Sequence, residues 1–144
     1  MINSILVVCT GNICRSPTGE RLLRRELANI KVTSAGTGAL VGKPAYSMSV
    51  EVAKSHGLSL ESHVARQITK ADCQENDLIL VMEKQHLEYV CKLSPEIRGK
   101  VMFFGHWLDR KDTPDPYGKS LEAYEFAYNH LNASALKWAE MLQR

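Results

Sequence analysis

The sequence predicts a single-domain α/β fold: an open, mainly parallel four-stranded sheet with helices on both faces. Three observations predict it. Short apolar runs alternate with helical patterns along the chain, the order that builds a parallel sheet covered on both sides. The runs at residues 3–8 and 77–82 are too short for helices and rich in aliphatic residues, as buried strands are. No repeat, low-complexity tract or linker interrupts the 144 residues, a length suited to one core without disulfides or metal. Residues 1–144 therefore read as one domain.

The elements follow in order. Asn3-Ser4-Ile5-Leu6-Val7-Val8 is the first strand, and it ends in a Gly-containing loop. Ser16-Pro17 opens a helix, because proline in the first turn has no N–H to lose. That helix turns Leu22, Leu23 and Leu27 inward and leaves Arg21, Arg24 and Arg25 as a solvated face. A second strand at 31–34 runs into a loop at 36–44. A helix at 47–56 stops at Gly57, a residue suited to capping a helix C-terminus. Residues 77–82 form the central strand, 84–93 a helix, and 101–104 a weaker strand. Two prolines and no periodicity make 109–118 a loop. Beyond it Leu121, Tyr124, Tyr128, Leu131, Ala135, Trp138 and Leu142 recur at spacings of three and four, one apolar helical stripe.

Composition narrows the function classes. With 44% hydrophobic and 24% charged residues the chain is ordinary for a globular protein, and its formal charge of +2 argues for neither nucleic-acid nor membrane binding. The apolar start is far too short to span a membrane, and no signal-peptide pattern follows it, so a cytoplasmic location is expected. Cys9, Cys14, Cys73 and Cys91 then read as thiols. They lack the second close pair that a zinc site requires, and no metal or other cofactor is expected.

The chemistry concentrates where the first strand ends. Cys9-Thr10-Gly11-Asn12-Ile13-Cys14-Arg15-Ser16 carries a cysteine from a strand end to a helix N-terminus, the place where open α/β sheets bind ligands. Successive N–H groups in such a loop surround a phosphate, the helix dipole adds favourable potential, and Arg15 offers a fork of donors to two oxygens. Gly11 permits close backbone approach. The same field favours a thiolate at Cys9, able to take a phosphoryl group from an ester as phosphocysteine. Departure of the leaving group calls for a general acid, and Asp109, Asp112 and Asp115 are all loop carboxylates.

Val8-Cys9-Thr10-Gly11-Asn12-Ile13-Cys14-Arg15-Ser16-Pro17 resembles the signature of the low-molecular-weight protein tyrosine phosphatases. The resemblance continues through Ser34-Ala35-Gly36-Thr37, Ser62-His63-Val64-Ala65-Arg66-Gln67, residues 77–83 and Asp115-Pro116-Tyr117, and so covers nearly the whole chain. It implies Asp115 as the general acid, with Asn12, Ser16, Ser34 and His63 as a hydrogen-bond network holding the loop in shape. It also implies that Ile13, Leu40 and Tyr117 flank the substrate ring over a floor of Thr10, Gly11, Asn12 and Cys14. Two positions depart from the pattern: Tyr46 lacks a neighbouring aspartate, and Gly118 stands where mammalian relatives have a second aromatic residue. The remaining histidines, His56, His86, His106 and His130, read as surface or packing residues, and Trp107 and Trp138 as core.

Arg98-Gly99-Lys100-Val101 and Phe104-Gly105-His106-Trp107 resemble the bacterial branch associated with capsule and exopolysaccharide export. That likeness implies a tyrosine autokinase with a tyrosine-rich tail as partner. Two enzymes on the same fold are the alternatives. An arsenate reductase needs two relay thiols after the central strand, whereas Cys73 and Cys91 lie on either side of it and Met82-Glu83 occupies the relay position. A phosphoarginine phosphatase carries Thr where Ile13 stands. A non-enzymatic phosphate-binding adaptor is expected to lack Cys9, Arg15 or Asp115, and all three are present. Cys14 lies five residues from Cys9 on the curved loop, so a redox lock between the two sulfurs is a further expectation.

Overall fold

The computed structural model describes residues 1–143. Strands β1 (Ser4–Cys9), β2 (Lys31–Gly36), β3 (Leu78–Val81) and β4 (Val101–Phe103) form one sheet in the order β2-β1-β3-β4. Every neighbouring pair is parallel, so the sheet is wholly rather than mainly parallel. The chain leaves β1 toward β2 on one side and places β3 and β4 on the other. That reversal opens a crevice at the carboxyl ends of β1 and β3, the position where doubly wound sheets hold ligands.

Residues of β1 alternate between two apolar layers, as the period of a strand requires. Ile5, Val7, Leu78 and Leu80 face a core formed with Leu22 and Leu23 of α1 (Arg15–Glu26), Val52 of α2 (Ser47–Ser55), and Tyr124, Leu131 and Trp138 of α5 (Leu121–Leu142). Leu6, Val8, Ile79 and Val81 face the opposite layer, with Cys73 of α3 (Lys70–Glu75) and Val90 of α4 (Lys84–Leu93). Burial of β1 and β3 on both faces explains why their sequences read as unbroken apolar runs.

Most predicted elements lie within two residues of their observed bounds. Gly57 caps α2 with φ of 79°, a left-handed conformation that glycine adopts without strain. The α5 stripe is buried except at its ends: Leu121 is exposed and Leu142 only half-buried. Trp138 lies in the core, with its indole N–H donating to the Phe104 carbonyl, but Trp107 is partly exposed. Arg24 and Arg25 are exposed as expected. Arg21 is half-buried instead, because it pairs with the buried Glu20. Helix α3 and a 3-10 helix at Pro95–Lys100 were not predicted. Among the described residues no helix is long and apolar enough to cross a membrane.

Candidate active site

The turn after β1 is held in a conformation it would not adopt alone. Asn12 has φ of 57°, the left-handed region that Asn tolerates better than most residues, and it is fully buried. Its environment fixes that conformation from every side. Asn12 Nδ2 donates to Ser16 Oγ at 2.7 Å and to Ser34 Oγ at 3.0 Å, while its Oδ1 accepts the Arg66 N–H at 2.9 Å. His63 Nε2 donates to the Asn12 carbonyl at 2.6 Å. A carbonyl can only accept, so His63 carries its proton on Nε2. Burial holds the His63 pKa below the usual value.

This network has a direction. Ser34 Oγ donates to Glu20 Oε1 at 2.9 Å, and both Asn12 amide hydrogens are donated to the two serines. Ser16 Oγ is thereby an acceptor from Asn12, and its own hydrogen is left to donate to Cys9 Sγ, 2.9 Å away. The hydroxyl thus presents its proton to the sulfur that would attack phosphorus. Gly36 supplies the close approach beneath: a Cβ there would collide with the Thr10 carbonyl oxygen. Within the Ser34-Ala35-Gly36-Thr37 motif, Ser34 bonds the network and Gly36 lets the loop lie against β2.

Arg15 opens α1 with its side chain almost wholly buried. Its Nη1 donates to Glu83 Oε1 at 2.6 Å and to the Thr113 carbonyl at 2.8 Å. Its Nη2 lies 3.7 Å from Asp115 Oδ2. The 109–118 loop is irregular but anchored. Thr113 N–H donates to the Met82 carbonyl, and Thr113 Oγ1 donates to His130 Nδ1, whose Nε2 donates to the Arg110 carbonyl. Asp115, with its side chain 48% exposed, accepts the Tyr117 N–H at 3.1 Å through Oδ1.

Above the loop lies a pocket of ≈ 200 Å³ whose lining includes Cys9, Arg15, Asp115, Ile13, Leu40 and Tyr117. Thr10, Gly11 and Cys14 also line it, whereas Asn12 faces away into its network. Leu40 and Tyr117 stand at the rim, 46% and 52% exposed. Tyr46 supports this wall: its ring meets Tyr117 edge-on at 5.1 Å, stacks toward Tyr124 at 6.1 Å, and its N–H donates to the Ile13 carbonyl.

Sequence reasoning missed Glu20, Tyr46, Glu83 and His86 as parts of the site. His86 is not a surface residue, and it does more than pack. It is 1% exposed, its Nε2 lies 2.8 Å from Thr10 Oγ1, and its Nδ1 accepts the Glu83 N–H at 3.1 Å. Glu83 and His86 were accessible to one general rule, since both follow the carboxyl end of a central strand.

The chain matches the family described as low molecular weight phosphotyrosine protein phosphatase over residues 4–144. The chain belongs to this family. It is 54% identical to the probable low molecular weight protein-tyrosine-phosphatase AmsI of Erwinia amylovora over 144 residues, covering all of both chains. Its fold superposes on the crystal structure of the tyrosine phosphatase Wzb from Escherichia coli K30, in complex with sulphate, with a TM-score of 0.97, 52% identity and 99% coverage of each chain. A mutant of the arginine phosphatase YwlE matches with a TM-score of 0.92 but only 28% identity, over 98% of this chain and 96% of that one. The fold expected from the alternation of strands and helices and the family expected from the signature loop are both borne out.

The buried histidines make stability pH-dependent. Burial, with Arg15 adding repulsion, pushes the His86 pKa down to about 4, and burial also lowers that of His63. The unfolded chain therefore binds protons below about pH 6.5 that the folded chain refuses, so stability falls as pH drops through this window. For His86 the loss is roughly 2 kcal/mol at pH 5, or a fall in Tm of about 5 °C from pH 7. Thermal melts at the two pH values check this. An unchanged Tm would mean the imidazoles are protonated in the fold.

Proposed function

We propose that the protein hydrolyses protein phosphotyrosine through a phosphocysteine intermediate on Cys9. The observation that supports this is the convergence of Cys9, Arg15 and Asp115 on one pocket with an apolar rim. Cys9 Sγ attacks phosphorus as the bond to the tyrosine oxygen breaks, and Asp115 gives its proton to that oxygen. Asp115, now a carboxylate, takes a proton from water. The water oxygen attacks phosphorus, the P–S bond breaks, and thiolate and inorganic phosphate are released. Both short hydrogen bonds that Arg15 makes are donated by Nη1, which leaves the Nε–Nη2 edge for two phosphate oxygens. With the loop N–H groups that edge stabilises the equatorial charge of the transition state.

Pocket depth sets the substrate class. A tyrosine phosphate carries its phosphorus farther from the backbone than serine or threonine phosphates do, and Ile13, Leu40 and Tyr117 offer an apolar wall to the ring. Ile13 has no hydroxyl for a guanidinium, which disfavours phosphoarginine. Cys73 is buried in the layer between the sheet and α3, so a reductase relay through it is not supported. By its resemblance to the exopolysaccharide branch, the chain acts on a tyrosine autokinase with a tyrosine-rich tail, in the cytoplasm.

A panel of phosphotyrosine, phosphoserine, phosphoarginine and arsenate substrates tests this reading. Phosphotyrosine peptides should be turned over far faster than the others. Ile13→Thr should raise phosphoarginine turnover relative to phosphotyrosine, and Tyr117→Ala should weaken phosphotyrosine use more than that of a small alkyl phosphate. Equal use of phosphoserine and phosphotyrosine peptides by the unaltered protein would sink the pocket account.

Cys14 adds a redox expectation. Peroxide converts the Cys9 thiolate to a sulfenic acid, and attack by Cys14 sulfur forms a disulfide and releases water. Burial pushes the Cys14 pKa up to about 11, so at neutral pH this capture is slow and accelerates as pH rises. Peroxide-treated wild type should recover with a thiol reductant, and Cys14→Ser should not. Identical recovery in both rules the lock out.

A further inference from the structure

The turn that joins β3 to α4 touches the anion loop at both ends. Glu83 holds Arg15, the first residue of α1 where the loop ends, and His86, one helical turn on, reaches Thr10, the residue directly after Cys9. The two contacts bridge 68 and 76 residues of sequence and come from one short segment. Because His86 Nδ1 accepts the Glu83 N–H, the neutral ring carries its proton on Nε2 and donates it to Thr10 Oγ1. The Thr10 carbonyl is fixed independently by Gly38 N–H at 3.0 Å, and the Cys9 carbonyl by Thr37 N–H at 2.9 Å. The side-chain bond to His86 is thus the contact tying the start of the loop to the β3 side of the crevice.

We propose that His86 is a positioning residue for phosphoryl transfer, holding Thr10, and through it the peptide that follows Cys9, in register with the arginine fixed by Glu83. Burial and the neighbouring guanidinium keep the imidazole neutral at physiological pH, the state this bond requires. The loop donors must match the equatorial oxygens of the transition state while sulfur and leaving oxygen stay in line. A misplacement of reacting groups by about 1 Å can already cost on the order of a hundredfold in rate. Ground-state binding, carried by the charge of Arg15 and the helix dipole, depends less on that register. The inference rests on the phosphatase reading above.

The test separates the bond to Thr10 from the capping bond to Glu83. In His86→Asn, Oδ1 can replace Nδ1 as acceptor for the Glu83 N–H, but the shorter side chain cannot reach Thr10. In His86→Gln, Nε2 can still donate to Thr10. Thr10→Val removes the acceptor at nearly constant shape. With p-nitrophenyl phosphate, His86→Asn and Thr10→Val should each lower kcat about tenfold with KM changed less than about twofold. Inhibition by vanadate, which mimics the transition state, should weaken by the same factor while inhibition by phosphate holds. The Thr10→Val, His86→Asn double variant should fall no further than either single one, and His86→Gln should recover most of the rate. Wild-type kcat in Thr10→Val, or additive losses in the double variant, would overturn the proposal. Should His86→Asn not fold, Thr10→Val and His86→Gln carry the same comparison. An active wild type with silent variants defeats only this inference, whereas a wild type without aryl-phosphatase activity defeats the phosphatase reading as well.

Discussion

Cys9→Ser should abolish turnover of an aryl phosphate, with a loss of at least about ten-thousand-fold, the scale on which removal of a covalent nucleophile acts. The substitution replaces sulfur by a smaller and far less nucleophilic oxygen, so the covalent step is lost although the Ser16 hydroxyl, the loop N–H groups and the helix dipole remain. The anion site itself should survive. Asn12, Ser34, Glu20 and His63 hold the loop without using the Cys9 side chain. Phosphate should therefore still bind, and phosphate affinity measured beside kcat separates loss of chemistry from loss of fold. A variant keeping a tenth of wild-type activity would falsify the assignment of Cys9 as nucleophile.

Asp115→Asn should lower kcat on phosphotyrosine by roughly a hundredfold or more, the usual scale for a missing general acid. The amide is close in shape, and the Asp115 side chain is half-exposed, with one backbone contact and a long 3.7 Å approach to Arg15 Nη2, so little stability should be lost. The decisive feature is dependence on the leaving group. A phenolate that departs readily as an anion needs no proton, so the loss on an activated aryl phosphate should be distinctly smaller than on phosphotyrosine. Equal losses on both substrates would show that Asp115 does not protonate the leaving oxygen in the first step.

What the sequence disclosed depended on how far apart the interacting residues lie. Cys9, Asn12, Arg15 and Ser16 sit within one loop, so their spacing alone describes a phosphate cradle at a helix N-terminus. The strands were legible because burial of β1 and β3 on both faces leaves continuous apolar runs, and α5 because one stripe over six turns faces the core. Helix α3 escaped notice because only Cys73 of its six residues is buried, which leaves no periodicity to read. Its start was nevertheless marked, since Thr69 and Asp72 cap each other's N–H groups. The second layer of the site escaped for a different reason. Glu83 and His86 act on residues 68 and 76 positions away, and Glu20 resembles any other acidic residue on a helix rich in arginine until the fold presses it against Ser34. Tyr46 drew attention only as a departure from the family pattern, while its role in bracing Tyr117 depends on three rings brought together by separate elements.

The central claim, a phosphoryl group carried on Cys9, is tested most directly by acid-quenching the enzyme during turnover of an aryl phosphate and mapping the modification by mass spectrometry. Asp115→Asn is the form to quench alongside wild type, because loss of the water-activating carboxylate slows release of the phosphoryl group and lets the intermediate accumulate. The account predicts one phosphoryl group on the peptide that contains Cys9, absent from Cys9→Ser and discharged when wild type is given time before the quench. Steady turnover with no adduct at any quench time, or an adduct on a different residue, would contradict it.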